Sequence, residues 1–347
     1  MKKIQVALAS FGMSGKVFHG PLLKVNDGFI VKKIYERSKS ESASMFPDSE
    51  IVRDYSQILK DPEIDLVVVN VPDKYHYSFA KAALIADKHV VVEKPFTLDV
   101  EEGEELIALA GKKGKVLTVF QNRRWDSDFV TVEKLLRDGR LGKIKEFEAH
   151  FDRFKDAVQE GIWKEDPDEG ANVLYNLGSH LVDQALVLFS MPHSVFADLA
   201  IVREGSRIID YFHLHLYYKG FKVILKSSYQ VKEPGPKYMI HGSKGSFLKY
   251  GMDPQEEELK KGVLPAGPDW GKEPEDDYGI LNAANKERSF EGTFQSLPGN
   301  YPFFYQNLYE VISEGKELAV KPQEALDVIK IIKAAEKSNR ERCVVKL

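Results

Sequence analysis

Ile4-Gln5-Val6-Ala7-Leu8-Ala9-Ser10-Phe11-Gly12-Met13-Ser14-Gly15 is the stretch on which the reading of this chain turns. A short apolar run leads directly into S-x-G-x-x-G and then into a segment patterned as a helix. A turn of this kind offers unpaired backbone N–H groups and the positive end of a helix dipole, which suit a pyrophosphate. Gly12 lets the backbone approach the phosphates, and Gly15 permits close helix–strand packing. Ser10 stands where the pattern has its first glycine, and a turn with negative φ accommodates it. The plain alternative is an ordinary tight turn.

Outward from this point the first 122 residues alternate regularly. Apolar runs at 4–9, 29–35, 66–71, 90–92 and 116–120 are separated by helical segments. Leu66-Val67-Val68-Val69 is continuous rather than alternating, as in a strand covered on both faces. Asp73 to Ala86 places Phe79, Ala83 and Ala86 on one side of a helix. Asp99 and Glu102 are spaced like a capping box for another, running to Lys113. Strand and helix in repetition predict an α/β domain over residues 1–122: a parallel, doubly wound sheet of the Rossmann type.

Glu36, Arg37 and Ser38 end the second strand, about twenty residues after the turn. An acid here holds the ribose hydroxyls of NAD, whereas an arginine beside a hydroxyl grips the 2′-phosphate of NADP. Both devices are present, so the cofactor reads as NAD(P), with a solvated turn as the bland alternative.

After residue 122 the rhythm changes, which predicts a second, α+β domain over 123–347. Lys145 to Phe154, Val195 to Val202, Asp210 to Tyr218 and Phe221 to Tyr229 are β-rich, and Lys219-Gly220 reads as a hairpin turn. A largely antiparallel open sheet is expected, with helices near 171–189 and 323–338. Ala325, Val328, Ile329, Ile332 and Ala335 form one stripe of the latter. The Gly-, Pro- and charge-rich stretch 251–300 is either a lid or a long surface excursion.

Composition narrows the partners. The chain has 347 residues, a net charge of −4, 43% hydrophobic residues and one cysteine, Cys343. Two ordinary globular domains fit this size. The charge gives no basic excess for nucleic acid, and a single thiol suits a reducing, cytoplasmic compartment. No apolar run approaches the roughly 18 residues that span a bilayer. The N-terminal run is too short for a secretory signal and reads as a buried first strand. His213 and His215 share a strand face, but two histidines without a carboxylate or thiol cluster make a poor metal site. Glu256 to Lys261 reads as a solvated charged face.

Val90-Val91-Val92-Glu93-Lys94-Pro95, with Val71-Pro72-Asp73-Lys74-Tyr75-His76 upstream, resembles the Gfo/Idh/MocA oxidoreductases. Further similar stretches are Gln121-Asn122-Arg123-Arg124-Trp125-Asp126, Gly170 through Asn176 and His180 to Asp183, and His241 to Phe247. The branch containing NADP-linked scyllo-inositol dehydrogenases is the most similar. The resemblance spans essentially the whole chain and is specific for the family, not for a substrate.

It implies catalytic roles for Lys94, His180 and Asn176, a cis Lys94–Pro95 bond, and His180 reaching across from the second domain. Imidazole suits the base that takes a hydroxyl proton, and a lysine ammonium suits developing negative charge. Many members have aspartate where this chain has Asn176; an amide orients but carries no charge. Cofactor contacts are expected from Ser10, Phe11, Gly12, Met13, Ser14, Gly15, Glu36, Arg37, Ser38, Asn70, Pro72, His76, Glu93, Lys94 and Asn122. Substrate contacts are expected from Lys94, Arg124, Trp125, Asn176 and His180, and no metal is expected.

The implied activity is hydride transfer between nicotinamide and the CH–OH group of a sugar, inositol or related polyol. The same family resembles a galactose-regulon repressor, so a dinucleotide-bound regulatory protein without turnover is the rival. A homodimer or homotetramer through the second domain's sheet is also expected.

Overall fold

The computed structural model describes residues 3–159, 161, 165–166, 172–284 and 289–347. The chain forms two compact units.

The first unit begins with Met1–Asn122. Its strands are β1 (Ile4–Leu8), β2 (Phe29–Tyr35), β3 (Glu50–Val52), β4 (Leu66–Val69), β5 (His89–Val92) and β6 (Leu117–Val119). They pair in the order β3-β2-β1-β4-β5-β6, all parallel, as the doubly wound reading requires. Every residue of β4 is buried, which explains its unbroken apolar run. Between strands lie α1 (Gly20–Lys24), α2 (Ser56–Leu59), α3 (His76–Ile85) and α4 (Val100–Lys113). Asp99 is the N-cap residue of α4, but its side chain makes no cap bond, so that half of the expected capping box is missing. Instead Thr97 Oγ1 donates to the Asp99 carbonyl at 2.7 Å.

Two stretches of the region read as the second domain, 255–270 and 300–326, also belong to this first unit. They carry α7 (Gln255–Lys260), α8 (Pro302–Glu314) and the start of α9 (Pro322–Glu341). Aromatic packing accounts for α8: Tyr305 meets Phe29 edge-on at 5.6 Å, and Phe304 meets Phe120 at 4.9 Å. Burying each such ring contributes roughly 1.5–3 kcal/mol. Gly28 makes room, since a Cβ there would lie 2.4 Å from the Tyr309 ring.

The second unit holds Arg123–Pro254, Gly271–Gly299 and Asp327–Leu347. It contains α5 (Ser127–Arg137), β7 (Ile144–His150), α6 (Ser179–Phe189), β8 (Ser194–Ala200), β9 (Tyr211–Tyr218), β10 (Phe221–Ser228), β11 (Tyr238–Gly242), β12 (Gly245–Lys249), β13 (Gly279–Ala284), β14 (Ser289–Phe294) and β15 (Val345–Lys346). The nine strands pair as β14-β13-β12-β11-β7-β10-β9-β8-β15. All neighbours are antiparallel except β7 and β10.

Alternation is plain in β9, where Phe212, Leu214 and Leu216 are buried while His213, His215 and Tyr217 are half-buried on the other face. The predicted β9–β10 hairpin forms, with Gly220 at φ 86° in its two-residue turn. The expected stripe of α9 is buried throughout. The expected helix near 171–189 begins with a π-helical turn at Leu174–Gly178 before α6; residue 171 lies outside the described residues.

Candidate functional site

The glycine turn is held by one side chain. Asn70, at the end of β4, accepts from the Ser10 N–H at 2.9 Å and donates to the Ser10 carbonyl at 3.0 Å. Ser10 Oγ donates to the Asn70 carbonyl at 2.7 Å. Asn70 is therefore a clamp on the turn, and Ser10 at the first position strengthens that clamp. A Cβ at Gly15 would lie 3.0 Å from the Ser10 carbonyl oxygen, so the packing demands glycine. A Cβ at Gly12 would meet nothing closer than 3.9 Å, which leaves an open approach to the backbone there. Met13 is 52% exposed, whereas Phe11 is buried edge-on against Phe46. A π-helical turn, Gly15–His19, follows, closed by Gly20 N–H donating to the Gly15 carbonyl.

A cleft of about 490 Å³ opens beside this turn within the first unit. One wall holds Ser10, Phe11, Gly12 and Lys16, another Pro72, Tyr75 and Phe79, and the far end Glu36, Arg37, Ser38, Lys39 and Glu41. Phe79 is backed by Tyr55, with ring centroids 4.4 Å apart, giving a flat apolar wall of the kind a nucleobase stacks on. The dimensions, the open backbone at Gly12 and the cations at the far end fit a dinucleotide.

Glu36 lines the cleft, and its carboxylate also has partners inside the chain. Its carboxylate accepts the backbone N–H groups of Glu41 and Ser42, each at 3.0 Å, and the Ser42 hydroxyl. It thereby caps a 3₁₀ turn, Glu41–Ser44. Arg37 and Ser38 are exposed at that far end, and Lys16 and Lys39 are both ion-paired with Glu41. The part played by Lys16 and Lys39 was not read from the sequence, although Lys16 directly follows the glycine motif.

Lys94 lies two residues past β5, and its bond to Pro95 is cis, as the resemblance implies. Its backbone N–H donates to Glu93 Oε2 at 3.0 Å. His76 is buried, with Nδ1 2.7 Å from the Pro95 carbonyl and Nε2 3.0 Å from that of Val71. It ties the loop after β4 to the loop after β5 and does not line the cleft. Asn122 is buried at the start of the 3₁₀ turn Asn122–Trp125.

In the second unit, Arg124 grips Asp183 through Nε and Nη2, at 2.8 and 2.6 Å. This engages the guanidinium expected to meet substrate. Trp125 is half-buried in the same turn. Asn176, in the π-helical turn before α6, donates from Nδ2 to Tyr229 Oη at 3.4 Å. His180, one turn on, is 6% exposed, and its ring faces Phe151 at 6.3 Å.

Tyr229 is the residue missed here, because it meets Asn176 only where the π-helical turn packs beside the end of β10. Burial raises its phenol above the ordinary range, outweighing the Asn176 bond and the nearby arginines. Its hydroxyl stays protonated at neutral pH and can donate. His213 and His215 stack at 4.7 Å, and no metal-binding group of three ligands exists among the described residues. Among them, too, no helix is long and apolar enough to cross a membrane.

Residues 4–121 match the NAD-binding Rossmann fold of the Gfo/Idh/MocA oxidoreductase family, and residues 133–347 match its C-terminal alpha/beta domain. The chain is a Gfo/Idh/MocA oxidoreductase. Scyllo-inositol 2-dehydrogenase (NADP(+)) IolW of Bacillus subtilis is 41% identical over 99% of this chain and 96% of its own length. YdgJ of Escherichia coli, an uncharacterized oxidoreductase, is 40% identical over 99% of this chain and 98% of its own. A solved Bacteroides fragilis structure is 46% identical with a TM-score of 0.92, covering all of both chains. As a family member with this Rossmann unit, the protein is built for a nicotinamide dinucleotide.

Proposed function

We propose that this Gfo/Idh/MocA oxidoreductase is an NADP-dependent dehydrogenase acting on a CH–OH group of an inositol, sugar or related polyol. The observation that carries the cofactor choice is Glu36: its carboxylate is taken by the N–H groups of Glu41 and Ser42. The cleft beside it exposes Arg37 and Ser38, a guanidinium and a hydroxyl suited to a 2′-phosphate, while Lys16 and Lys39 pair with Glu41. The 41% identity to an NADP-linked scyllo-inositol dehydrogenase supports the substrate class.

When bound, the nicotinamide supplies the hydride acceptor or donor. The chain's own residues handle the proton and the charge. His180 is assigned removal of the hydroxyl proton. Lys94 is assigned stabilisation of the oxygen as it becomes negative. Asn176 and Tyr229, which neighbour each other, are assigned hydrogen bonds that orient substrate hydroxyls.

The experiment is absorbance at 340 nm with NADP⁺ and NAD⁺ against inositols, aldoses and polyols, with Lys94→Ala as control. Turnover with NADP⁺, abolished in the variant, is expected. Tight cofactor binding with no turnover across the panel would instead favour a dinucleotide-bound regulatory protein, a reading to which Asn176 in place of aspartate lends support.

A further inference from the structure

A chain of buried polar groups runs beneath Lys94, entirely inside the first unit. Glu93 Oε2 accepts the Lys94 N–H at 3.0 Å, and Oε1 faces His19 Nε2 at 3.0 Å. The other ring nitrogen, Nδ1, lies 2.7 Å from Tyr305 Oη. His19 and Tyr305 are both fully buried. The His19 ring leans on Phe120 at 4.4 Å, and Tyr305 is held edge-on by Phe29 at 5.6 Å.

With a neutral His19 ring, one tautomer satisfies each of these contacts. Burial, reinforced by Glu93, raises the Tyr305 phenol well above its ordinary value, so its O–H donates. Nδ1 then accepts, the ring proton lies on Nε2, and it donates to Glu93. Burial alone would push the Glu93 carboxyl up. The bond from His19, with Lys94 and His76 nearby, outweighs burial and brings it below the usual range. The chain therefore runs in one direction, from hydroxyl to ring to carboxylate, and ends on the backbone of Lys94.

We infer that His19 and Tyr305 are positioning residues for Lys94, acting through Glu93. They lock the carboxylate in one orientation, which fixes the Lys94 backbone and keeps a negative charge beside the lysine. The inference rests on the reading of Lys94 as the group that stabilises the substrate oxygen, because displacing such a group by about 1 Å costs up to 10²-fold in rate. The three parts come from distant sequence: His19 is the last residue of the π-helical turn after the glycine motif, Glu93 directly follows β5, and Tyr305 lies on α8, 286 residues from His19.

The test is Tyr305→Phe, which removes one hydroxyl and keeps the ring packing, with His19→Gln as the stronger variant. In the full-length protein, ¹⁵N-histidine NMR should show His19 as the Nε2–H tautomer, and Tyr305→Phe should change that signal. The Lys94 amide resonance should move with it. With NADP⁺ and a polyol, kcat should fall about ten-fold or more while KM for each stays within about two-fold. A Lys94 amide and a kcat both unchanged in Tyr305→Phe would overturn the inference. If the wild type oxidises no polyol, the functional reading fails, while the NMR signals still decide whether this chain sets Lys94.

Discussion

Arg124 and Asp183 form a two-pronged ion pair, and both side chains are nearly buried, 9% and 3% exposed. The pair ties the turn after residue 122 to α6, the helix that carries His180. Asp183→Ala removes both prongs of this buried pair and should cost about 3–5 kcal/mol in urea unfolding. Arg124→Lys should be nearly as harmful, since an ammonium cannot make the fork. A variant of normal stability with only a raised substrate KM would return Arg124 to the role of a substrate contact.

Cofactor selectivity should reside at the far end of the cleft. Arg37→Ala should weaken NADP⁺ binding by roughly ten- to hundred-fold, the worth of hydrogen bonds to a charged group. NAD⁺ binding should stay within about two-fold. Fluorescence titration with both reduced cofactors measures this, and equal losses for the two would remove the 2′-phosphate reading.

Tyr229→Phe deletes the hydroxyl beside Asn176 and little else. A neutral hydrogen bond contributes about 0.5–1.5 kcal/mol, so KM for the polyol should rise about two- to ten-fold with cofactor binding unaltered. Unaltered polyol kinetics would mean that this phenol serves only the unit's own packing.

His150 gives a pH signature. Burial lowers its proton affinity, but hydrogen bonds to Asp152 and Glu148 more than compensate, and the net shift is upward. A group raised on folding binds its proton more tightly in the native state. Its stabilisation is fully present below the unfolded value of about 6.5 and disappears as pH rises through the raised folded value. Urea midpoints measured from pH 6 to 9 should decline less in His150→Gln than in wild type. Parallel curves would show that the ring holds no extra proton.

Much of the fold was legible because its signals are local. Leu66–Val69 had to be a doubly covered strand, and Ser10–Gly15 had to be a turn opening a helix. β3 escaped because three residues carry no period, and β11 to β14 escaped because their stretches are broken by glycine and charge. The place of α8 in the first unit was invisible for another reason: Tyr305 and Phe29 are paired by packing alone. At the candidate site, Lys94, Asn176 and His180 were named from motifs. Glu36 was named for its identity and position at the end of β2, whereas the bonds its carboxylate makes to the N–H groups of residues 41 and 42 could not be read from one sequence. Tyr229, His19 and Tyr305 required long-range pairing that one sequence does not display.

The two π-helical turns, Gly15–His19 and Leu174–Gly178, have a consequence for how this protein can change. Each contains one residue more than a regular helix needs. Deleting that residue would improve the local hydrogen bonding and yet turn everything on one side by about 100° relative to the other. The Ser10 turn would then lose its alignment with His19, or Asn176 with His180. Loops elsewhere can lengthen or shorten at little cost. In these two places the chain length itself is part of the chemistry, and a shorter, better helix would be a worse enzyme.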